Sequence, residues 1–261
     1  MPVNDELGKR MKGYEQVAKS SLMKRTPVAI RIDGRAFHTF TKGFEKPFDM
    51  ILVKSMQETM KYLCENIQGC VFGYAQSDEI TLILTDYATF TTSAWFDYEV
   101  QKICSIAASM ATMKFNQVFG AYAEKDFIKK SDPYFGEYTD EDLKFAQTRF
   151  KAARKGAMFD ARCFNISKEE VCNLIYWRQI DAIRNSVQMV GQHYFSHNEL
   201  QNKSCIAIKE MLEQEKEVRW EDYPLYLQNG TACIRYNSEW YIDENMPILI
   251  GKEREYLERY I

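Results

Sequence analysis

Cys70-Val71-Phe72-Gly73-Tyr74-Ala75 and Ile80-Thr81-Leu82-Ile83-Leu84, joined by Gln76-Ser77-Asp78-Glu79, decide how this 261-residue chain reads. Two apolar runs rich in β-branched and aromatic residues, separated by a short polar turn, predict an antiparallel hairpin. Upstream, Pro27 precedes Val28-Ala29-Ile30-Arg31-Ile32, a short buried strand ending at Asp33-Gly34. Between strand and hairpin, Met50, Val53, Met56, Met60 and Leu63 recur at helical spacing within 48–66, and Gly69 ends that run. After the hairpin, Thr92 or Ser93 is placed to cap a helix carrying Trp95, Ile103, Ile106, Met110 and Met113. Leu7, Met11, Tyr14 and Ala18 mark a further amphipathic helix over 5–19. The order helix, strand, helix, strand, strand, helix predicts an α+β chain, an α/β sandwich on a ferredoxin-like, split βαβ sheet.

Beyond residue 130 the pattern is weaker. Ser131-Asp132-Pro133 and Gly136 mark a loop, Phe159 to Ile166 a strand, and Val171, Leu174, Ile175, Ile180, Ile183 and Val187 a helix over 168–197. Asn229-Gly230 ahead of Thr231-Ala232-Cys233-Ile234 has the chemistry of a hairpin turn. No linker composition separates the halves, so the expected division is a core over 1–135 and a dependent C-terminal extension of helices and a hairpin over 136–261.

Composition fits a globular protein: 46% hydrophobic, 27% charged and 14% aromatic residues. No apolar run approaches the roughly 20 residues that cross a bilayer. The polar, acidic start Met1-Pro2-Val3-Asn4-Asp5-Glu6 does not have the form of a signal peptide, so a cytoplasmic protein is expected. Seven scattered cysteines without a C-x-x-C pair argue against a disulfide framework or zinc ribbon. His193 and His197, four apart, lack a Glu or Cys in register and read as surface or stacking residues. A net charge of −3 does not announce a nucleic-acid partner. Charge is nevertheless uneven: Lys144, Arg149, Lys151, Arg154, Lys155 and Arg162 face one acid, Asp160, in the same stretch. That pattern suits either a solvated helix face or a local patch for one nucleic-acid partner.

Asp33 at a strand end and Asp78 in a hairpin turn emerge at one edge of a split βαβ sheet. Two such carboxylates repel unless a cation lies between them, and oxygen ligands suit magnesium. Two ions about 4 Å apart would stabilise the attacking and leaving oxygens of a phosphoryl displacement. Gly34 lets the main chain approach a ligand and offers its carbonyl to a metal, while the N–H groups from Arg35 to His38 can form an anion nest. Spacing alone leaves the plainer reading open, an Asp-Gly turn and a solvated hairpin tip.

Three words at this order and spacing change the balance. Arg31-Ile32-Asp33-Gly34-Arg35-Ala36-Phe37-His38-Thr39-Phe40, then Phe44-Glu45-Lys46-Pro47, then Gly73-Tyr74-Ala75-Gln76-Ser77-Asp78-Glu79 resemble the signature of the tRNA-histidine guanylyltransferase family. Trp95-Phe96 with Lys102, and Trp177-Arg178-Gln179-Ile180-Asp181, resemble weaker landmarks of it. The resemblance implies a polymerase-like palm that extends RNA from its 5′ end, with two magnesium ions on Asp33, the Gly34 carbonyl and Asp78. It implies that Glu79 supports that site, that Lys46 and Ser77 serve activation of the 5′ end, and that Gly34, Arg35, Ala36, Phe37, His38 and Lys102 serve nucleotide binding. It implies ATP, GTP and other NTPs as substrates beside tRNA, and a homotetramer; the uneven charge, read separately, places the tRNA on Arg149, Lys151, Arg154, Lys155 and Arg162.

One departure is informative. Where eukaryotic members carry His-Ile-Asn-Asn after the Trp-Arg-Gln-x-Asp word, this chain has Ile183-Arg184-Asn185-Ser186. It therefore resembles the prokaryotic guanylyltransferase-like branch, which implies templated addition and repair of 5′-truncated tRNA alongside guanylate addition. Two alternatives stand beside this reading. A nucleotide cyclase on the same palm would need no RNA, and a non-catalytic tRNA-binding module would need neither Asp33 nor magnesium.

Overall fold

The computed structural model describes residues 2–261. In chain order its main elements are α1 (Pro2–Val17), β1 (Val28–Gly34), the short α2 (Phe37–Phe40), α3 (Met50–Asn66), β2 (Cys70–Gln76), β3 (Glu79–Leu84) and α4 (Val100–Ser131). Then follow α5 (Asp140–Lys155), β4 (Phe159–Asn165), α6 (Lys168–Tyr194), α7 (His197–Leu200), α8 (Cys205–Lys216), α9 (Leu225–Asn229), β5 (Thr231–Tyr236), β6 (Glu239–Asp243) and α10 (Glu255–Glu258).

Six strands make one sheet in the order β4-β1-β3-β2-β5-β6, every neighbouring pair antiparallel. The first four strands, with α3 and α4 as their two crossovers, are the expected split βαβ arrangement. Strands β4 and β5–β6, all from beyond residue 135, extend the sheet at its two edges. Alternation along β1 assigns the two faces. Val28, Ile30 and Ile32 join Ile80, Leu82 and Leu84 in the core under α3 and α4, whereas Ala29 joins Phe72, Tyr74 and Ile83 in the core under α6. A third cluster, including Val187, Val190, Ile208, Leu212 and Trp220, ties the end of α6 to α8.

Local chemistry fixes the helix ends. Asp49 caps α3 by accepting from the Ile51 and Leu52 N–H groups at 3.1 Å, and Thr139 with Asp142 forms a capping box on α5. The cap expected at Thr92 or Ser93 does not form. Thr92 accepts from the Thr89 N–H in a turn instead, and α4 starts at Val100 after a separate 3₁₀ turn over Trp95–Tyr98. The hairpin expected at Asn229-Gly230 is also displaced. Leu225–Asn229 is helical, and Asn229 is buried with its side chain donating to the Met246 carbonyl, so the turn lies at Asn237-Ser238, both with positive φ. The N-terminal helix forms, but Leu7, Met11 and Tyr14 on its apolar stripe remain 45%, 44% and 72% exposed. Among the described residues, no helix is long and apolar enough to cross a membrane.

Candidate active site

The sheet brings the acidic residues together by register. Asp33 pairs with Glu79 across β1–β3 and with Asp160 across β1–β4, so three carboxylates share one row at the sheet end, on the α6 side. Asp78 joins them through the main chain, because the Gly34 N–H donates to its carbonyl at 3.1 Å. The turn itself is tight, with Gln76 opposite Glu79 and only Ser77-Asp78 between them. Ser77 takes φ 50 there, a left-handed conformation that costs a non-glycine residue about 1 kcal/mol. Its hydroxyl donates to the Asp78 carboxylate at 3.1 Å.

The four acids differ in state. Glu79 is buried and bound: the Arg178 Nε donates to it at 2.7 Å, and the Arg31 guanidinium lies 3.3 Å away. Burial lifts its carboxyl above the ordinary value, and those two guanidiniums pull it back. It is a buttress, not an open ligand. Asp160 is exposed and pairs with Arg162 at 3.1 Å. Asp78 has no basic partner among the described residues, and partial burial raises its carboxyl above the usual range, with the Asp33 charge adding to the rise. Asp33 and Asp78 are thus the two carboxylates with uncompensated negative charge. Among the described residues no three His, Cys, Asp or Glu side chains cluster as metal ligands. Two carboxylates beside main-chain oxygen instead fit a hard cation that keeps water and phosphate in its shell, as magnesium does.

Beyond Gly34 the chain turns sharply. Ala36 adopts φ 53, ψ 38 and starts α2. The Arg35 N–H already donates to the Met158 carbonyl at 2.8 Å, so the anion nest expected over Arg35–His38 is reduced to Ala36, Phe37 and His38, whose N–H groups have no main-chain acceptor among the described residues. Phe37 is buried against Phe115 and Phe159 at centroid distances of 5.6 and 5.2 Å, and its ring covers Gly34. A Cβ at Gly34 would overlap that ring, which is why glycine is needed here.

Lys46 is exposed on the loop between buried Phe44 and Asp49. That loop is held by Arg149, expected to contact RNA but only 2% exposed. Its Nη1 donates to Asp49 at 2.7 Å and lies 3.6 Å from Glu45, and its Nη2 donates to Asp126 at 2.7 Å. Arg149 is therefore withdrawn from the RNA-binding set, since a buried guanidinium with three carboxylates has nothing left for phosphate. Its position within the buried stripe Ala146-Arg149-Ala152 is the sequence signal that distinguishes it from its neighbours.

The remaining cations divide. Lys151, Arg154 and Lys155 are exposed on α5, and Lys151 and Lys155 line a groove of about 620 Å³ with Arg35 and Lys42. Arg162 pairs with Arg31 across the β1–β4 ladder and so faces the opposite, α6, side of the sheet. One continuous patch does not form. Lys102 also stands apart, exposed in the first turn of α4 beside Glu99. Ten residues further along that helix Thr112 accepts from the Phe159 N–H at the level of Gly34. At 1.5 Å per residue, Lys102 is about 15 Å from the carboxylate end within this chain. Sequence reasoning gave no role to Arg178, Arg31 or Trp177; Arg178 reaches Glu79 from 99 positions away, a separation with no local signature.

The family model described as tRNA-His guanylyltransferase (Thg1) matches residues 8–167. Among solved structures, a bacterial tRNA-His guanylyltransferase-like protein in complex with ATP is 40% identical, with a TM-score of 0.81 over 98% of this chain and 99% of its own. A bacterial protein of the same description in complex with GTP is 35% identical, with a TM-score of 0.75 over 98% of both chains. The probable tRNA-His guanylyltransferase of Dictyostelium discoideum is 23% identical over 238 residues, covering 86% of this chain and 80% of its own. With the palm-type sheet, the Asp33–Asp78 pair and these likenesses together, the chain belongs to the tRNA-histidine guanylyltransferase family of nucleotidyltransferases, alongside its bacterial guanylyltransferase-like members.

Proposed function

We propose that the protein is a magnesium-dependent 3′-to-5′ nucleotidyltransferase that restores missing 5′ nucleotides of tRNA and also adds guanylate to tRNA-His. The observation that carries this reading is the Asp33–Asp78 pair, locked by main chain at the sheet end beside the free N–H groups of Ala36, Phe37 and His38. Asp33, the Gly34 carbonyl and Asp78 would hold two magnesium ions, which when bound activate the attacking hydroxyl and stabilise the leaving oxygen. Arg178 and Arg31 offset the burial of the Glu79 carboxyl and keep the β1–β3 rim fixed. The N–H groups of 36–38 orient the incoming triphosphate, and Lys46 and Ser77 neutralise and position the RNA 5′ end.

In the bond-forming step the 3′-hydroxyl of the incoming nucleotide attacks the α-phosphorus of the activated 5′ end. The new phosphodiester forms as the bond to AMP or pyrophosphate breaks, and the hydroxyl proton passes to solvent. AMP leaves where ATP has capped a 5′-monophosphate, and pyrophosphate leaves where a 5′-triphosphate was present. A lysine beside the breaking bond offsets the charge that develops on the leaving group.

Residues 1–135 supply most of this chemistry and 136–261 would contribute to holding the RNA, with Lys151, Arg154 and Lys155 on phosphates and Arg162 on the opposite face. A homotetramer would let one subunit hold the acceptor end while another contacts the body of the tRNA, with Lys102 serving a nucleotide across subunits. Seven free thiols suit a reducing, cytoplasmic setting. The test is addition to tRNA, full-length and lacking its first nucleotide, with magnesium and each NTP separately. Restoration by the nucleotide complementary to the opposite strand supports repair. Guanylate added only to full-length tRNA-His limits the activity to that substrate, and cyclisation of NTP without RNA overturns the reading.

A further inference from the structure

Trp177 is the feature of this surface that the reaction leaves unused. The chain has four tryptophans; Trp95, Trp220 and Trp240 are buried, at 8%, 6% and 8% exposure, while Trp177 is 51% exposed. An indole half open to water presents a flat aromatic face that a base can cover. Its orientation is fixed from below. The Arg178 guanidinium lies 4.4 Å and that of Arg31 5.7 Å from the ring centroid, and both are more buried than the indole because both engage Glu79. The exposed part of the ring is therefore turned away from the sheet, on a rigid mount.

Its place relative to the carboxylates is equally definite. Arg31 precedes Asp33 by two residues on the same face of β1, about 7 Å along the strand. The 36–38 loop leaves the sheet on the other face, where Phe37 enters the core under α4. Triphosphate loop and Trp177 thus flank the carboxylate rim from opposite sides. An incoming nucleotide held by the loop leaves the Trp177 side for the RNA. On this side of the sheet Arg162 is exposed, and so is Arg184, two turns along α6 from Trp177 on the same helix face, with no carboxylate partner among the described residues. The nearby acid Asp181 is occupied by Arg178 at 2.8 Å. An exposed aromatic flanked by guanidiniums matches the chemistry of a nucleobase carried on a phosphate backbone.

We propose that Trp177 is a stacking platform for the terminal base at the 5′ end of the RNA acceptor, holding that end against the Asp33–Asp78 rim. This rests on RNA being the substrate, but not on catalysis. The experiment uses the whole protein and a tRNA transcript lacking its first nucleotide, in magnesium. Tryptophan fluorescence and its quenching by acrylamide are followed as tRNA or GTP alone is added. Expected are an acrylamide-accessible signal in the free protein, saturable protection by the tRNA, and none by GTP. Trp177→Phe should abolish the signal change yet bind tRNA near normally in a gel-shift assay. Trp177→Ala should bind about ten-fold more weakly and raise KM for tRNA, with KM for GTP unchanged.

Unaltered tRNA binding by folded Trp177→Ala would overturn the proposal. Protection by GTP alone would reassign the indole to the incoming base, and concentration-dependent protection without RNA would assign it to a second copy of the chain; either result also overturns it. Protection by tRNA in a protein that adds no nucleotide would keep the platform and remove the polymerase reading.

Discussion

Gly34 donates its N–H to the Asp78 carbonyl at 3.1 Å, so the strand that carries Asp33 and the turn that carries Asp78 are fastened to each other by main chain. The separation of the two carboxylates is thereby set by the sheet, not by side-chain packing. Neutralising either one should leave the fold intact while removing the charge that would attract a cation. That fastening has consequences for charge, stability and rate.

It first gives a pH dependence. Burial, with help from Asp33, raises the Asp78 carboxyl above its ordinary value, so the folded protein holds that proton more tightly than the unfolded chain does. The associated stability is complete below the unfolded-state value and is lost as pH rises through the folded-state value. At neutral pH the metal-free protein therefore carries a penalty. Asp78→Asn should raise Tm at pH 7 in EDTA, and the difference should close on acidification. Magnesium affinity should fall on acidification earlier than for an ordinary aspartate pair; thermal melts across pH, with and without magnesium, check both points.

Arg149 provides a separate test of burial. Asp49, its partner at 2.7 Å, has a side chain only 2% exposed. Arg149→Met strands that carboxylate and should cost about 3–5 kcal/mol, lowering Tm by about 10 °C in a chain of this size. The tRNA affinity of the folded fraction should not change, which a salt titration of binding will show.

Charge reversal on α5 should behave in the opposite way. Glu substituted for Arg154 and Lys155, both exposed, should leave Tm within a degree or two while weakening tRNA binding. The slope of log affinity against log salt should flatten by about one for each phosphate no longer neutralised. An unchanged slope would move the RNA off this helix.

At Gly34 the issue is space. Phe37 covers the glycine so closely that Gly34→Ala must displace the ring or the loop that carries it. The overpacking should cost about 1–3 kcal/mol, and a loop displaced by about 1 Å should lower kcat about 100-fold. Steady-state kinetics beside a melt separate the two effects.

These cases also indicate what was legible beforehand. The βαββα order, the hairpin at 70–84 and the proximity of Asp33 to Asp78 follow from period-two and helical patterns whose partners lie close in sequence. Arg149 sits on the stripe Ala146-Arg149-Ala152, but a long cation in a run of Lys and Arg looks solvated until Asp49, capping α3, and Asp126, on α4, close on it. The Asn229-Gly230 turn failed for a related reason: a short helix and the buried Asn229 side chain claim those residues, and the hairpin moves to Asn237-Ser238. How Glu79 is held was likewise not legible, because Arg178, its partner at 2.7 Å, lies 99 residues further on. Tertiary partners, not local propensity, set those outcomes.

The most direct measurement is nucleotide addition by Asp33→Asn and Asp78→Asn on triphosphorylated tRNA lacking its first nucleotide, where ATP activation is bypassed. Each variant should melt at or above the parent temperature in EDTA, bind the tRNA normally, and lose on the order of 1,000-fold in the rate of templated addition. Addition at the parent rate by either folded variant would contradict the assignment of the Asp33–Asp78 pair as the catalytic metal site.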